Sequence, residues 1–241
     1  MSNSTNEFQQ SYNEVTNTID EEHSQFLREI IHSRRSVRKY QEKIISKEHI
    51  KKLIDAANWA PSACNKQSWK FIIIDEKDKI KKLTSKGAAS FLKNSNYAIL
   101  VLYDNRTDNI EYHDHIQSAS AAIQNMLLMA SSLGIGACWV CNLPPKKFIR
   151  CLFSIPKCYD PIALVSIGWP YSEKPPGRKR KYTFKQLVSY NSFNLPYEKT
   201  TSGANIKLMI KRLARKFFYA LPKNHFLKKY AKKYEKKFND Y

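Results

Sequence analysis

Two stretches of this 241-residue chain decide its fold: Arg34-Arg35-Ser36-Val37-Arg38-Lys39 and Ala60-Pro61-Ser62-Ala63-Cys64-Asn65-Lys66-Gln67-Ser68-Trp69. We call them the arginine segment (34–39) and the amide loop (60–69). The first places three guanidinium groups and a hydroxyl close together, which suits the binding of a phosphate group. The second joins amides and hydroxyls to small side chains just before the apolar run 71–74. Such a loop can contact the heteroatom edge and the hydroxyl chain of a planar cofactor.

The chain lacks the glycine-rich loops that commonly bind phosphate. It has only six glycines, and neither G-x-G-x-x-G nor G-x-x-x-x-G-K-[ST] occurs in it. A phosphate would therefore be held by side-chain cations, which are available in the arginine segment and in a later run at 178–181. A basic cluster alone is usually solvated surface, so the prediction depends on its combination with the amide loop.

The pattern of apolar residues predicts a mixed α/β domain. Three helices are predicted. The first covers 22–33, the second begins after an N-cap at Ser46 and ends before Pro61, and the third covers 116–133 and ends at Gly134. Strands are predicted at 70–75, 97–103, 137–140 and 162–168. The 116–133 helix is apolar nearly all round, so it is expected to be buried, either in the domain core or at a subunit interface.

The two stretches, in this order and spacing, resemble the flavin-binding signature of the nitroreductase family. The resemblance continues through 121–139, 162–170 and 175–188 and covers about residues 25–190. It implies an α+β fold with a central antiparallel sheet flanked by helices. It also implies an interlocked homodimer, with FMN bound non-covalently at each of two interface sites. NADH or NADPH would be the electron donor and a small organic molecule, such as a nitroaromatic or a quinone, the acceptor.

The resemblance also implies roles for individual residues. Arg34, Arg35, Ser36 and Arg38 would hold the phosphate and ribityl chain from one subunit, and Pro61, Ser62, Ala63, Asn65 and Gln67 would come from the other subunit. Trp139 and Cys141 would lie by the flavin, and Arg178 or Arg180 would supply a late phosphate contact. No catalytic side chain is expected, because FMN carries the chemistry. Where the family often has a carboxylate, this chain has Cys141 and Asn142, which puts the usual substrate preference in question.

Two other functions stay open at this stage. One is a specialised flavin-dependent reductase or dehydrogenase of a single metabolite. The other is a non-catalytic binding protein, or one acting at a membrane surface, that keeps the fold.

Composition divides the chain into three parts. Residues 1–21 are polar and expected to be disordered, 22–197 form the FMN-binding domain, and 198–241 form a basic, amphipathic helical extension. Thirteen Lys/Arg against three acidic residues give that extension half of the net charge of +20. It could pack on the dimer, lie on an anionic membrane or bind an acidic partner. Nucleic acid is unlikely, because no nucleic-acid-binding motif is present.

The cysteines and histidines give weaker signals. Five cysteines without a disulfide-type spacing, no signal peptide and no long apolar run favour the cytoplasm. Cys138 and Cys141 have the spacing of a redox pair or half a metal site, but on a strand they would point to opposite faces, which favours separate free thiols. His113 and His115 are expected on a polar loop or on the substrate side.

Overall fold

The computed structural model describes residues 21–106, 109, 111–171, 180–195, 206, 209–210 and 213. The helices are α1 (Glu21–Ser33), α2 (Lys47–Asn58), α3 (Lys77–Ser85), α4 (Asp114–Ser132), α5 (Lys146–Phe153) and the single turn α6 (Phe184–Leu187). The strands are β1 (Trp69–Ile74), β2 (Tyr97–Asp104), β3 (Gly136–Val140) and β4 (Tyr159–Gly168), and 3₁₀ turns cover Ala63–Asn65 and Ser90–Asn94. Within these ranges no helix has both the length and the apolar character needed to cross a membrane.

The four strands form the central antiparallel sheet that the sequence analysis expects. Their order is β1-β2-β4-β3, so β1 and β3 are the edge strands. The pairing of β2 with β4 shifts register between Val101 and Leu102, and Pro161 of β4 lies opposite Leu102 at this irregularity. A proline cannot donate a ladder hydrogen bond, which explains why it sits where the register changes.

Helices cover both faces of the sheet. Along β2, Ile99 and Val101 belong to one buried cluster with residues of α2 and α4, whereas Leu100 belongs to a second with residues of α3 and α5. Successive strand residues point to opposite faces, so both faces of this strand are buried. This is why its sequence is a continuous apolar run rather than an alternating one.

The long helix α4 lies in the core of a single chain. Its fully buried residues are Ala119, Ala122, Ile123, Met126 and Ala130. It ends just before Gly134, which has a φ of +70°, and the Ile135 N–H then donates to the Ala130 carbonyl at 2.8 Å. Glycine adopts this left-handed conformation without the steric penalty of a side chain. The prediction that this helix lies in the domain core is confirmed for its buried side, and a place at a subunit interface for its other side stays a prediction.

Several elements differ from the sequence-based prediction. Helices α3, α5 and α6 and the 90–94 turn were not predicted, because none of them has more than two buried residues and lysines dilute their apolar pattern. Strand β4 begins at Tyr159, three residues before the predicted 162, since the register shift accommodates Pro161. The other predicted elements are confirmed to within two residues at each end.

The buried carboxylate of Asp160 connects β4 with α5 and with the segment after β2. Asp160 forms ion pairs with Lys146 and Arg150 and accepts a hydrogen bond from Asn105 Nδ2 at 2.9 Å. Burial raises the pKa of Asp160, but hydrogen bonds from Lys146 and Asn105 and the two positive charges outweigh it, so the net pKa lies below its ordinary value.

Asp160→Asn should lower the free energy of unfolding by about 1–3 kcal/mol at pH 7, because it leaves the half-buried cation of Arg150 without its carboxylate. The folded-state pKa lies below that of the unfolded chain. The carboxylate therefore stabilises the fold fully above about pH 4 and loses this effect as the pH falls through its folded value. Urea unfolding at pH 7, 5 and 3 should show that the difference in unfolding free energy between wild type and variant falls toward zero in acid.

Asp78→Asn, which removes an exposed pair with Lys81, should change stability by less than about 0.5 kcal/mol. A loss of unfolding free energy in Asp160→Asn that is as large at pH 3 as at pH 7 would show that the ionised carboxylate is not its cause.

Candidate cofactor-binding site

The arginine segment extends the end of the sheet. The Val37 N–H donates to the Ala137 carbonyl of β3 at 3.0 Å, and the Gln41 N–H donates to the Trp169 carbonyl just after β4 at 2.8 Å. A Cβ atom on Gly136 would lie 2.8 Å from a methyl of Val37, and one on Gly168 would lie 2.7 Å from the ring of Tyr40. Both glycines are therefore required for this close approach. The backbone of the segment is fixed by these contacts and leaves the arginine side chains to bind other groups.

The three arginines of the segment are half-buried. Arg35 donates to the carbonyls of His32 and Arg34, while its Nε is buried with no hydrogen-bond partner among the described residues. The guanidinium of Arg38 lies over the ring of Phe91, 5.5 Å from its centroid. None of the ion pairs found between described residues involves any of these arginines. Half-buried cations that lack carboxylate partners in this part of the chain are suited to an anionic ligand.

The pKa of the Cys138 thiol responds to the charges of the arginine segment. Burial raises the pKa of Cys138, whereas the positive charges of Arg38 and Arg34 and a hydrogen bond with Ser36 lower it, with a net shift upward. These residues are thus close enough to the β3 thiol to affect its ionisation. The segment lies alongside β3, where Ser36 forms a bridge with Ala137. Its role in binding a phosphate stays a prediction.

The amide loop holds its own conformation through short-range hydrogen bonds. Ser62 Oγ accepts from the Gln67 N–H at 3.0 Å, and Asn65 Oδ1 accepts from Gln67 Nε2 at 2.6 Å. The Ala63 N–H donates to Ser118 Oγ of α4 at 3.0 Å, which anchors the loop to the long helix. Sequence reasoning missed Ser118, because only the fold places it beside the loop.

The amide loop also contains an unusual share of left-handed backbone. Cys64, Asn65 and Gln67 have φ values of 50°, 51° and 47°, and only three other non-glycine residues in the described part of the chain have a positive φ. Such conformations are unfavourable for most residues and concentrate at binding sites. The side chains of Pro61, Asn65 and Gln67 are exposed, and those of Ser62 and Ala63 are half-buried. The loop therefore presents polar groups on a surface that its own chain does not cover.

A single chain keeps the two motifs apart. The amide loop is bonded to Ser118 in the first turns of α4, whereas Arg34 and Arg35 line a small cavity with Ser131 in its last turn. The separation between these two serines corresponds to about 20 Å along the helix axis. The amide loop leads into β1, whereas the arginine segment lies alongside β3 at the opposite edge of the sheet. They do not converge on one site within one chain.

The remaining predicted site residues have different positions. Trp139 is half-buried on β3 near the arginine segment, and its Nε1 is buried without a hydrogen-bond partner among the described residues. Cys138 is buried in β3, whereas Cys141 lies just beyond the end of β3 and is exposed. All five cysteines are free thiols, as expected. Arg180 is exposed, and Arg178 lies outside the described residues. No group of three potential metal ligands is found in the described ranges.

Comparison with known proteins agrees with this fold and these motifs. The family model described as the nitroreductase family matches residues 31–86 and 81–169. A protein of Archaeoglobus fulgidus named as an NADH dehydrogenase/NAD(P)H nitroreductase is 38% identical over 149 residues, covering 60% of this chain and 86% of that protein. A protein of the same name from Methanothermobacter thermautotrophicus is 36% identical over 151 residues, covering 61% and 78%. The crystal structure of an FMN-dependent nitroreductase from Clostridium difficile superposes with a TM-score of 0.60 at 30% identity, covering 68% of this chain and 98% of that one.

The sheet, its two helical layers and the two polar motifs thus define an α+β protein of the flavoenzyme type. The family match spans more than half of the chain and includes the arginine segment and the amide loop. This chain belongs to the nitroreductase family.

Proposed function

We propose that this protein passes electrons from NADH or NADPH through FMN to a small organic acceptor such as a nitroaromatic or a quinone. We propose further that it does so as a homodimer in which each cofactor site is shared by two chains. One observation carries this proposal: two motifs with complementary chemistry, each with uncovered binding groups, lie about 20 Å apart along α4 in one chain.

As a member of the nitroreductase family, the chain is an FMN-dependent oxidoreductase that uses NAD(P)H. When bound, FMN supplies the redox chemistry, accepting a hydride from the nicotinamide and passing electrons to the acceptor. The protein's own contribution is to bind and orient the cofactor. The residues present fit this task, because unpaired half-buried arginines suit the phosphate, and the exposed amides of the amide loop suit the ribityl chain and ring.

In the proposed assignment Arg34, Arg35, Ser36 and Arg38 of one chain bind the phosphate end of FMN. Pro61, Ser62, Ala63, Asn65 and Gln67 of the other chain contact the ribityl chain and ring. Trp139, in β3, is proposed as a further contact to the flavin. Cys141 would contribute through its backbone, and Arg178 and Arg180 remain proposals for the late phosphate contact.

Arg38→Ala should weaken FMN binding about 10-fold or more, because charge-assisted contacts contribute about 1.5–3 kcal/mol each. It should leave riboflavin binding nearly unchanged, since riboflavin has no phosphate. Fluorescence titration of apoprotein with both flavins measures the two effects. Lys39→Ala, an exposed neighbour in the same segment, is the matched control. Equal weakening for FMN and riboflavin would place Arg38 away from the phosphate.

The surface of the described chain supports a homodimer. Phe26 and Leu27 of α1 are 61% and 52% exposed, and Phe184 and Leu187 of α6 are 70% and 60% exposed. Large apolar side chains grouped on short helices are typical of surfaces that a partner covers. A second copy of the chain would cover them while bringing the amide loop of one chain to the arginine segment of the other.

Mixed dimers test the shared site. One chain carries Arg34→Ala and Arg38→Ala, and the other carries Asn65→Ala and Gln67→Ala, with different affinity tags. If each site draws on two chains, every mixed dimer retains one intact site and should bind one FMN with wild-type affinity. Both mutant homodimers should bind FMN weakly. Flavin absorbance per mixed dimer, after tandem purification, gives the stoichiometry. Mixed dimers that bind no FMN tightly would show that each site belongs to one chain.

The identity of the acceptor is the open part of the proposed function. Cys141 and Asn142 stand where the family often has a carboxylate, which favours a specialised reductase or dehydrogenase of one metabolite as the second candidate. Steady-state reduction of a quinone and a nitroaromatic, compared with NAD(P)H oxidation in their absence, tests for the broad acceptor range of the first candidate. We place the protein in the cytoplasm, which suits its five free thiols.

We infer that residues 198–241 are an extension of the FMN-binding domain that packs on the dimer. Most of this extension lies outside the described residues. Its described members Ile206, Met209, Ile210 and Leu213 are all exposed and fall on one helical stripe. An apolar stripe left uncovered by its own chain is suited to packing on a partner. Peripheral membrane binding through its lysines is the competing possibility.

Deletion of 204–241 should raise the dimer dissociation constant by 10-fold or more, because it removes this apolar stripe from the interface. The flavin spectrum should persist at high protein concentration, since both flavin motifs lie outside the extension. Analytical ultracentrifugation measures the first effect and absorbance the second. Co-sedimentation with phosphatidylglycerol vesicles is the control. Vesicle binding by the full-length protein alone, with unchanged dimerisation, would favour the membrane.

A further inference from the structure

The ring of Phe91 lies against one of the cations of the arginine segment. The guanidinium carbon of Arg38 is 5.5 Å from the centroid of this ring, which is below the limit of about 6 Å for a cation–π contact. Phe91 is far from Arg38 in sequence and belongs to the 3₁₀ turn Ser90–Asn94, between α3 and β2. Only the fold brings the two residues together, so the arginine segment has a neighbour that no contiguous motif indicates.

The turn that carries Phe91 is fixed on both sides of this residue. Before it, the Ala89 N–H donates to the Asn142 carbonyl, just beyond β3, at 3.2 Å. After it, Leu92 is fully buried in the cluster to which α3 and α5 contribute, and Phe91 itself is half-buried against that cluster. The position of the ring is therefore set by the core and by the end of β3, independently of Arg38.

The contacts of Arg38 leave its charge and most of its donors available. Its Nη1 donates to the Ser36 carbonyl at 3.4 Å, and no ion pair between described residues involves it. A guanidinium has five N–H donors, and an aromatic ring attracts it without supplying a negative charge. A carboxylate in the same place would neutralise the cation and could occupy two of these donors. A ring in this position thus orients the guanidinium and leaves it able to bind an anionic group.

A second phenylalanine in the same cluster has a comparable contact with a different cation. Phe153 of α5 is also half-buried, and its ring centroid lies 5.9 Å from Lys79 Nζ. Lys79 is paired with Glu76 at 2.7 Å and lies outside the arginine segment. The two rings therefore share their packing and differ in the cation that they contact, which makes Phe153 a matched control for Phe91.

We propose that Phe91 is a positioning residue for the cofactor site, because its ring holds the guanidinium of Arg38 in the orientation in which it binds FMN. This inference rests on the proposed function, which assigns Arg38 to the phosphate end of FMN. An arginine side chain loses much rotamer freedom when it binds a ligand. A ring that restricts this side chain beforehand reduces the loss on binding and so strengthens the binding of FMN.

Phe91→Leu tests the role, because it keeps an apolar side chain in the core and removes the ring. It should weaken FMN binding to the full-length protein about 3- to 10-fold, the range expected for a partly buried cation–π contact. Phe91→Tyr, which keeps the ring, and Phe153→Leu should both bind FMN as the wild type does. Fluorescence titration measures the four dissociation constants. Unchanged FMN binding by a folded Phe91→Leu, or equal weakening by Phe91→Leu and Phe153→Leu, would overturn the proposal.

A double variant shows whether Phe91 acts through Arg38. In the Arg38→Ala background, Phe91→Leu should weaken FMN binding no further, because the guanidinium that the ring orients is already absent. A further loss of 3-fold or more would mean that Phe91 contributes to FMN binding in another way, which contradicts a positioning role.

The contact itself is measured on the wild type, so that the proposal stays testable if Phe91→Leu does not fold. NMR of the full-length protein, labelled at arginine and phenylalanine, should show nuclear Overhauser effects between the Arg38 side chain and the Phe91 ring before flavin is added. Their absence would overturn the proposal while leaving the proposed function intact. A wild type that shows them and binds no FMN would instead refute the proposed function, and the role of Phe91 in FMN binding with it.

Discussion

The burial of α4 against the sheet is the constraint on which the rest of the structure depends. One face of the helix packs against β2 and β4 through side chains such as Ile123 and Met126. A helix of 19 residues fixed in this way is a rigid spacer of about 28 Å. Its first turns hold the amide loop through Ser118, and its end leads through Gly134 into β3 and the arginine segment. Neither end can move toward the other without unpacking the core, so the helix keeps the two motifs apart within one chain.

The two motifs are fixed in different ways, and each suits its ligand group. The arginine segment lies close against the end of the sheet because Gly136 and Gly168 have no side chain, so its backbone is fixed while its guanidinium groups keep no carboxylate partner among the described residues. The amide loop instead keeps three left-handed residues in place through Ser62 and the Asn65–Gln67 pair. A loop whose strain is already compensated by its own hydrogen bonds loses little conformational entropy when a ligand binds.

The elements that could be predicted from the sequence are those with a long run of apolar or small residues. The continuous apolar run of β2 and the small, apolar face of α4 reflect burial on two sides, and both were located within two residues. Helices α3 and α5 were not predicted from the sequence. Only Ile80 and Leu83 are buried in α3 and only Ile149 in α5, which is too few apolar residues to form a periodic pattern among the lysines. The same holds for the sites. The arginine segment and the amide loop are each contiguous in sequence and could therefore be recognised, whereas Ser118 reaches the amide loop only because α4 packs beside it.

A site divided between chains makes cofactor binding and dimerisation thermodynamically linked. If FMN contacts both chains, it binds the dimer more tightly than either monomer, and by reciprocity it must strengthen the dimer by the same free energy. In such a dimer the exposed apolar residues of α1 and α6 would supply cofactor-independent attraction, so the two contributions would add. The rigidity of one buried helix would thus connect the interface with the cofactor site.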